Sequence, residues 1–580
     1  MRNCIFVIRK RRQIITTINK LCVMFKLMNN IKTMYKIITI LIFIFCSSQT
    51  FSQVGLWTWV NGDTTMNSNP HYGIQGIPDS LNHPAGFYEG SEWTDKNGNF
   101  WFFEGQSVYG YRNDLWKYTP STNEWTWMKG SGVLNDTGSY GIQGVPSITN
   151  LPCGKGYGTA TWTDTTGNLW MYGGGAYNAS GNELWKYDIS TNIWTWIKGS
   201  KHYTPAVYGI RGVPSQYNTP GDRDELVCSW TDNNNNLWLF GGDANADARG
   251  DLWRYEIEKG EWTWMKGSTT PNAQGVYGIR GVEDSLNEPG ARWCYSHWKD
   301  NNGNFWLFGG QCHNNTNKLN DLWKYNVSTN NWVWIKGPNN GYHDPGVEGN
   351  VCQEDTSFNP YSRTESRSCW KDNNGNFWLF GGGALKYSNG NTTSMMLNDI
   401  WMYNVASNEW SKIWADSTYY LVPNFGTKGV AAPCNKPSDR MGAVSWYDHN
   451  TNSMYLFGGY QYYPGILNYR SDLWKYEIES SCSVHECIDL GISEKLNDVN
   501  LSVFPNPSTT FIIISIEFFR SQNIELNIYN LFGEKIYHSI DENTGEKFSK
   551  EVNIQQYENG IYYLQLQTKD KVITKKIVKQ

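Results

Sequence analysis

The stretch that decides the fold runs from Trp230 to Trp264 and has four parts: WTD at 230–232, LWLFGG at 237–242, DLWRY at 251–255 and WTW at 262–264. Each part is a short apolar and aromatic run bounded by turn residues, which predicts a β-strand. The four-part phrase recurs along the chain. Its opening tryptophan is spaced by 69, 68, 68, 72 and 76 residues, at Trp93, Trp162, Trp230, Trp298, Trp370 and Trp446. A period of this size predicts a repeat architecture.

The sixth copy of the phrase lacks its last part. After DLWKY at 472–476 the chain reads EIESSC, without a tryptophan pair. An orphan pair, Trp57 and Trp59, lies near the other end of the domain. We therefore predict that the N-terminal strand completes the last four-stranded sheet, so that six such sheets close into a ring.

Composition and charge indicate an all-β protein and argue against a nucleic-acid-binding function. The chain has 580 residues, which indicates several domains or a repeat array. Aromatic residues make up 15% of the chain, and glycine contributes 57 residues. Residues 37–500 hold 45 acidic and 31 basic residues. A surface with this excess of negative charge repels phosphate backbones, which argues against nucleic-acid binding.

The tryptophans are predicted to form the core of the array. A lone four-stranded sheet of this kind cannot cover both its faces, so each sheet must stack on the next. Of the 30 tryptophans, all but Trp293 and Trp414 occupy repeat positions, and we assign the repeated ones to packing rather than to ligand binding. Paired glycines after the second strand are assigned a structural role as well: Gly241, Gly242, Gly309, Gly310, Gly381, Gly382, Gly458 and Gly459.

A D-x-x-G-N string joins the first and second strands of most repeats, as at 300–304 and 372–376. The glycine suits the positive φ of a tight hairpin turn, and the aspartate suits a turn cap. The string also resembles part of a calcium loop, but the downstream bidentate glutamate of such a loop is missing. We predict a turn.

The N-terminus is predicted to be an export signal at residues 1–52 with an overlong leader, Met34 being the expected true start. A basic stretch precedes nine apolar residues at 37–45, which are too few to span a bilayer. Membrane contact is therefore expected only during export. Cys46 raises the alternative of a lipoprotein, but Phe45 before it is bulky where such sites need a small residue.

An exported chain enters an oxidising environment, in which disulfide bonds persist. Nine cysteines follow residue 52, so at least one lacks a partner within the mature chain. Cys482 and Cys487 are close together, and we predict a local bridge between them. His485 lies between the two, but this string offers only three ligands to a metal that needs four.

The repeats resemble kelch repeats, of the superfamily that includes galactose oxidase. The strings LWLFGG, DLWKY and WTW carry the resemblance, which covers residues 53–479 in six copies. It implies a six-bladed β-propeller over 53–480, closed by the N-terminal strand. Two copies depart from the pattern. The first has Phe103-Glu104-Gly105 for the double glycine, and the sixth has Tyr455 for the tryptophan of the second strand.

Residues 501–580, after a linker at 481–500, resemble the type A C-terminal sorting domain of the Bacteroidota type IX (Por) secretion system. The strings LSVFPNPS, NIYNLFGEKIY, GIYYLQL and the terminal KKIVKQ carry this resemblance. From the residues alone, the segment is about seven short strands, a small β-sandwich. The resemblance implies recognition by the type IX machinery. It also implies removal of this domain, followed by release or anchoring at the outer-membrane surface. An ordinary adhesion sandwich is the alternative.

Long loops on one face of the predicted ring are where a ligand site is expected. Part of that face is itself repeated, as YGIQG or YGIRG at Tyr72, Tyr140, Tyr208 and Tyr277. The last two copies are followed by Pro-x-x-Arg at Arg223 and Arg292, and Arg363 and Arg440 are related positions. A feature present in most repeats is more typical of scaffold. The candidate ligand residues are therefore the ones that do not repeat, Trp293, His297, His313 and His343, with separate packed or surface histidines as the alternative.

Two function classes follow from the sequence. The first is a non-enzymatic surface or secreted module that binds a glycan or a protein. The second is a copper oxidase of the galactose-oxidase kind or another carbohydrate-active enzyme. The oxidase site needs two tyrosines, two histidines and a thioether-linked cysteine on seven blades, and no segment here aligns with that set. We favour the binding module and predict no catalytic residue, cofactor or metal.

Overall fold

The computed structural model describes residues 51–579 apart from short gaps. The gaps are 177–178, 226–227, 294, 313–317, 340–343, 389–390, 415–422, 464–465, 480–483, 488–498, 505, 507, 519–521, 531–532, 545–546 and 569–571. Thr50–Cys487 form one compact unit, and Ile488–Gln580 belong to another. The described residues contain strands and no helix, so the all-β prediction is confirmed. Among these residues no helix is long and apolar enough to cross a membrane.

The strands are short and are numbered in chain order. Those of the first part of the chain are β1 (Phe51–Val54), β2 (Leu56–Asn61), β3 (Ser91–Thr94), β4 (Phe100–Phe103), β5 (Gln106–Ser107), β6 (Gly110–Tyr111), β7 (Leu115–Thr119), β8 (Glu124–Lys129), β9 (Lys155–Gly156), β10 (Ala160–Thr163), β11 (Leu169–Tyr172), β12 (Gly175–Ala176), β13 (Ala179–Ser180), β14 (Leu184–Asp188) and β15 (Ile193–Lys198). The middle of the chain forms β16 (Cys228–Thr231), β17 (Leu237–Phe240), β18 (Asp243–Ala244), β19 (Asp247–Ala248), β20 (Leu252–Glu256), β21 (Glu261–Lys266), β22 (Ser296–Lys299), β23 (Phe305–Gln311), β24 (Lys318–Asn326) and β25 (Asn331–Lys336). The rest are β26 (Glu354–Asp355), β27 (Arg363–Thr364), β28 (Cys369–Lys371), β29 (Phe377–Ser388), β30 (Asn391–Asn404), β31 (Glu409–Trp414), β32 (Val444–Asp448), β33 (Ser453–Tyr463), β34 (Ile466–Glu477), β35 (Val484–Cys487), β36 (Val499–Phe504), β37 (Phe511–Phe518), β38 (Gln522–Tyr529), β39 (Lys535–Thr544), β40 (Lys547–Asn553), β41 (Gly560–Gln567) and β42 (Val572–Lys579).

Each copy of the four-part phrase forms four antiparallel strands, which we call repeat sheets I to VI. They are β3-β4-β7-β8, β10-β11-β14-β15, β16-β17-β20-β21, β22-β23-β24-β25, β28-β29-β30-β31 and β32-β33-β34-β2. Sheets IV and V are joined into one larger sheet because Arg363 of β27 pairs with Leu319 and with Ala384. The phrase thus sets the same strand order six times.

The strand at the N-terminus completes sheet VI. Trp57 pairs with Tyr476 and Trp59 with Trp474 in the antiparallel register of β2 and β34. The prediction that the orphan tryptophan pair completes the sixth sheet is confirmed. A second pair joins the same two ends, since β1 pairs with β35, Phe51 opposite Cys487.

The first strands of the six sheets contact one another in sequence. β3 contacts β10, and the contacts continue through β16, β22, β28 and β32, which in turn contacts β3. Six buried apolar clusters of this unit follow the same order. Each of them combines residues of two neighbouring sheets. The cluster between sheets VI and I stacks Phe100 on Trp446 with ring centroids 5.2 Å apart. The core therefore lies between the sheets.

The six opening tryptophans are buried and link consecutive sheets. The indole N–H of Trp93 donates to the carbonyl of Trp170 in the next sheet at 2.8 Å, and that of Trp162 donates to Trp238 at 2.9 Å. Trp230, Trp298 and Trp370 make the same type of bond to the following sheet. Only Trp446, at the junction of sheets VI and I, has no partner for this N–H among the described residues. These side chains therefore act in packing, with no face open to a ligand.

The D-x-x-G-N string forms the turn that the sequence predicts. One oxygen of Asp300 accepts the backbone N–H groups of Asn302 and Asn304, at 2.9 and 2.8 Å, and the other accepts the indole N–H of Trp306 at 3.0 Å. Gly303 has a φ of 85°. Hydrogen bonds within the turn thus satisfy both oxygens of the Asp300 carboxylate, which does not need a calcium ion.

The C-terminal unit contains two sheets, β36-β37-β40 and β39-β38-β41-β42. Isoleucines 512, 514 and 516 of the first sheet share one buried cluster with Leu526, Leu564 and other residues of the second. Alternating apolar residues along each strand put one face of each sheet into this shared core. The unit is a small β-sandwich, as its sequence predicts.

The cysteines divide into two groups. Cys352 and Cys434 are disulfide-bonded, and Cys153, Cys228 and Cys369 are free thiols. Cys482 and the side chain of Cys487 lie outside the described residues, so the bridge predicted between them stays a prediction. Residues 1–50, with the expected signal peptide, lie outside them as well.

Candidate functional site

The sequence candidates are not brought together within the described residues. Trp293 is buried against Ala248 and Ala291, and its backbone pairs with that of Gln311. His297 lies on β22, with its ring 5.7 Å from that of Trp230 in an edge-to-face contact. Burial, with the positive charge of Arg367, lowers the pKa of His297 to about 4, so this imidazole is neutral and packed. His313 and His343 lie outside the described residues, and the four-residue site stays a prediction.

Each repeat sheet buries one basic side chain against an acid at the start of its third strand. In each of the last four sheets an arginine lies 2.6–2.8 Å from an aspartate. The pairs are Arg223 with Asp251, Arg292 with Asp321, Arg363 with Asp399 and Arg440 with Asp472. Sheet II uses Lys155 with Glu183 at 2.9 Å, and sheet I uses Arg112 near Glu104 and Asp114. In sheets II to VI each buried acid faces its own cation, whereas in sheet I Glu104 and Asp114 share Arg112, and burial raises the pKa of both acids. Because the contact recurs in all six sheets, we assign it to the scaffold.

The YGIxG tyrosines belong to the same network. The hydroxyl of Tyr208 donates to Asp251 at 2.9 Å and that of Tyr277 donates to Asp321 at 2.8 Å. Tyr72 and Tyr140 reach Asp114 and Glu183 in the same way. The tyrosine of the motif therefore anchors the loop between two sheets, as expected for a repeated feature.

A different set of charges meets just before the first strands of three sheets. Glu89 precedes β3, Glu225 precedes β16 and Glu365 precedes β28. Each of them places a carboxylate oxygen within 4.8 Å of the others. We call this set the glutamate cluster. Its members come from sheets I, III and V, so the cluster exists only when sheets far apart in the chain converge.

Backbone contacts hold each member of the glutamate cluster in place. Glu225 bridges to Asp243, and Tyr88, the neighbour of Glu89, bridges to Gln106. A chain of N–H···O bonds also crosses the sheets. Gly442 donates to the carbonyl of Glu365 at 3.1 Å, and Glu89 donates to Gly442 at 3.0 Å. The carboxylates therefore stand on segments that are hydrogen-bonded both within and between sheets.

Gly442 is required at its position in this chain of bonds. It has a φ of 61°, a conformation that residues with a Cβ rarely adopt. A Cβ at Gly442 would lie 2.6 Å from the Tyr88 ring and 2.9 Å from the Glu89 side chain. The close approach of sheet VI to sheet I at the cluster thus depends on the absence of a side chain.

The electrostatics of the cluster are unlike those of the repeated pairs. Glu89 is 1% exposed, and neither of its carboxylate oxygens accepts a hydrogen bond from a described residue. Burial raises the pKa of Glu89 well above its usual range, and the negative charges of Glu365 and Glu225 raise it further. Burial also raises the pKa of Glu365, which accepts a hydrogen bond from the Tyr88 hydroxyl at 2.5 Å. The cluster is short of positive charge.

Two basic side chains lie close enough to act on the cluster. Arg367 lowers the pKa of Glu89, and Lys318 lowers that of Glu365. Arg367, however, is already bonded to Glu92. Both effects are smaller than that of burial, so neither cation returns the pKa of Glu89 or Glu365 to its usual range.

Tyrosine rings surround the glutamate cluster. The ring of Tyr88 lies 6.4 Å from that of Tyr157 and 5.9 Å from that of Tyr460, and Tyr111 lies 6.2 Å from Tyr157. Tyr469 contacts Tyr88 and Tyr460. Tyr111, Tyr157 and Tyr460 are half-buried, so parts of three rings face solvent. We call these five residues the tyrosine collar.

Sequence reasoning missed both the cluster and the collar, although a signal existed. Five residues before the opening tryptophan, sheets III and V have Glu225 and Glu365, whereas sheets II, IV and VI have Tyr157, Trp293 and Met441. In sheet I the pair at this place is Tyr88-Glu89. The acids therefore occur in alternate repeats, a pattern that is visible only when the copies are aligned and their differences compared.

Comparison with known proteins identifies one part of the chain. A fungal alcohol oxidase "with catalytic diversity among the AA5 family, in complex with copper" is similar in structure, with a TM-score of 0.39 and 12% sequence identity over 92% of this chain and 98% of that one. Residues 502–580 match the family model of the secretion system C-terminal sorting domain. This match indicates that the protein is exported by the secretion machinery to the cell surface or the medium. Residues 502–580 are a type IX secretion system C-terminal sorting domain.

Proposed function

We propose that residues 53–480 form a six-bladed kelch-type β-propeller that binds a glycan or protein ligand outside the cell and is not an enzyme. The closed sequence of contacts from β3 through β32 and back supports the propeller. The completion of sheet VI by the N-terminal strand supports it as well, since such a shared sheet joins the two ends of a ring. Each repeat sheet is then one blade.

The observation that carries the binding role is the tyrosine collar around the glutamate cluster. Tyrosine offers a flat apolar face together with a polar hydroxyl, which suits the faces and hydroxyl groups of a sugar ring. Carboxylates in the same place accept hydrogen bonds from hydroxyl or ammonium groups of a ligand. These residues depart from the repeat, whereas the repeated tryptophans are buried between sheets.

The alternative, a copper oxidase, finds less support among the described residues. Copper sites in proteins favour imidazole and thiolate ligands. The described group of side chains arranged to hold an ion consists of carboxylates alone, and His297 is packed against Trp230. We propose the binding module as the function and keep copper content as a test of the oxidase.

A glycan array with the purified protein tests the proposal. We expect a signal on a subset of glycans, lost in a variant with Tyr157→Ala and Tyr460→Ala. Tyr217→Ala is the matched control because Tyr217 is 75% exposed and lies outside the collar. A signal that survives the double change would overturn the proposed site. Stoichiometric copper with peroxide release on sugars would overturn the non-enzymatic role.

The proposed destination is the cell surface or the medium, after removal of the signal peptide and of residues 501–580. The sorting domain supports this route. Intact-mass measurement on the secreted protein tests it, with Gln53 expected as the first residue and the C-terminal domain absent. An intracellular protein that retains both ends would contradict it.

A further inference from the structure

We propose that Glu89, Glu225 and Glu365 bind one divalent cation of the hard, oxygen-preferring class, with calcium as the best match. The inference goes beyond the binding function proposed above and does not depend on the identity of any glycan or protein ligand. No metal is predicted from the sequence, because the three residues lie in different repeats.

The first argument is distance. Calcium binds six to eight oxygens at about 2.3–2.6 Å, so two oxygens on opposite sides of the ion are about 4.6–5.2 Å apart. The three glutamates place one oxygen each within 4.8 Å of one another. One ion at the centre therefore reaches all three without moving a strand.

The second argument is the state of Glu89. This side chain is almost fully buried, is aimed into the cluster and has no hydrogen-bond partner for either oxygen among the described residues. A buried charge without a partner is strongly unfavourable. A bound cation supplies the missing partner and offsets the repulsion by Glu365 and Glu225 that otherwise raises the pKa of Glu89.

The third argument is the contrast with the scaffold. Sheets II to VI each place a buried acid directly against an arginine or lysine, as Arg440 does for Asp472 at 2.7 Å. The glutamates of the cluster occur only in sheets I, III and V, so they are not part of that scheme. Three acids from alternate sheets meet with carboxylate oxygens within 4.8 Å of one another, which is an arrangement suited to a cation.

The donor atoms select the type of ion. The set consists of carboxylate oxygens, which favour calcium, magnesium or manganese over copper or zinc. Magnesium needs a near-ideal octahedron at about 2.0–2.1 Å and keeps several waters. Three long glutamate side chains, able to bind through one oxygen or two, fit the more flexible shell of calcium.

Two other states of the cluster are the competing outcomes. The carboxyls can share protons, as their raised pKa values allow, or receive an ammonium group from a ligand. Neither state binds calcium tightly at pH 8. A metal titration therefore separates them from the proposal.

The experiment uses the full-length protein, treated with a chelator and titrated with calcium chloride and, separately, magnesium chloride by calorimetry. Sensitised terbium luminescence, compared between the wild type and the glutamine variants below, locates the ion. We expect one calcium site per chain, a magnesium affinity roughly tenfold or more lower, and a melting temperature that rises with calcium.

Glu89→Gln, Glu225→Gln and Glu365→Gln are each expected to weaken calcium binding by roughly tenfold or more, because affinity follows the charge of the ligands. The triple variant should lose both the binding and the calcium-dependent rise in melting temperature. Glu348→Gln is the matched control, since Glu348 is a surface residue paired with Lys412. If one single variant does not fold, the wild-type titration and the other two variants still decide the question.

Two results would overturn the proposal. One is a wild-type protein that shows neither calcium binding nor a shift in melting temperature at millimolar calcium. The other is a triple variant that binds calcium as tightly as the wild type, which would place the ion elsewhere.

Discussion

The buried arginine–aspartate pairs and the glutamate cluster use the same kind of charged side chain in opposite ways. Burial alone would raise the pKa of Asp321 and Asp472, but Arg292 and Arg440 hold both below their usual range. Burial raises the pKa of Glu89 and no cation reverses it. A repeated acid that faces its own arginine is thus compensated, as Asp321 and Asp472 are, whereas Glu89 is not.

The largest effect is expected when a repeated pair is broken. Arg440→Met leaves Asp472 buried without its cation and should lower the free energy of unfolding by about 3–5 kcal/mol. Tryptophan fluorescence during urea denaturation measures this, and it reports on the repeat unit alone because residues 475–580 contain no tryptophan.

Arg254→Met is the control for that prediction, since Arg254 and Glu256 form a partly exposed pair. Exposed pairs contribute about 1 kcal/mol or less. Equal losses in the two variants would contradict the distinction between buried and exposed pairs.

A smaller loss is expected from Gly442→Ala. The change combines a strained positive φ with a Cβ 2.6 Å from the Tyr88 ring. Gly429→Ala is the control, because Gly429 has a φ of 78° and no atom within 4 Å of the added Cβ. Gly442→Ala should be less stable than Gly429→Ala by roughly 1–3 kcal/mol, the usual range for overpacking. Equal urea midpoints would show that sheets VI and I do not approach closely at the glutamate cluster.

A gain in the free energy of unfolding, rather than a loss, is expected from a change in the glutamate cluster. In chelator at pH 8, Glu89→Gln removes an uncompensated buried charge and should raise the free energy of unfolding by about 1 kcal/mol, the scale of an unsatisfied buried polar group. The same urea assay measures it. A loss as large as that of Arg440→Met would mean that Glu89 is paired like the scaffold acids.

The smallest effect is the pH dependence of the cluster. An acid whose pKa is raised in the folded state contributes stability that is complete below its unfolded pKa and is lost as the pH rises through the folded value. In chelator, the wild type should therefore lose more stability between pH 5 and 8 than the triple glutamine variant. His297, whose pKa is lowered to about 4, acts in the opposite direction in both proteins and cancels in the difference. Parallel profiles would contradict a raised pKa at Glu89 and Glu365.

The sequence was sufficient for the repeat sheets because their signals are local and repeated. Apolar strings define the strands, Asp300 with Gly303 defines the turn, and the missing sixth tryptophan pair predicts the pairing of Trp57 with Tyr476. Each of these signals occurs within a few residues or in several copies.

The candidate site was not predictable in the same way. Glu89, Glu225 and Glu365 are far apart in sequence, and only the convergence of three sheets brings them together. His297 attracted interest as a residue outside the repeat, but its half-buried ring packs edge-to-face against Trp230 of the neighbouring sheet. A contact between neighbouring sheets cannot be read from a single strand.

The pairing of β2 with β34 has a consequence for how the protein is made. The first strand to emerge can find its partner only after about 400 further residues have been synthesised. Sheet VI is therefore the last to form, and until then the apolar face of Trp57 has no cover. A contact of such long range makes folding slow and leaves time for an unfinished chain to remain export-competent. The strand that completes sheet VI therefore waits for residues that lie just ahead of the sorting domain in the sequence.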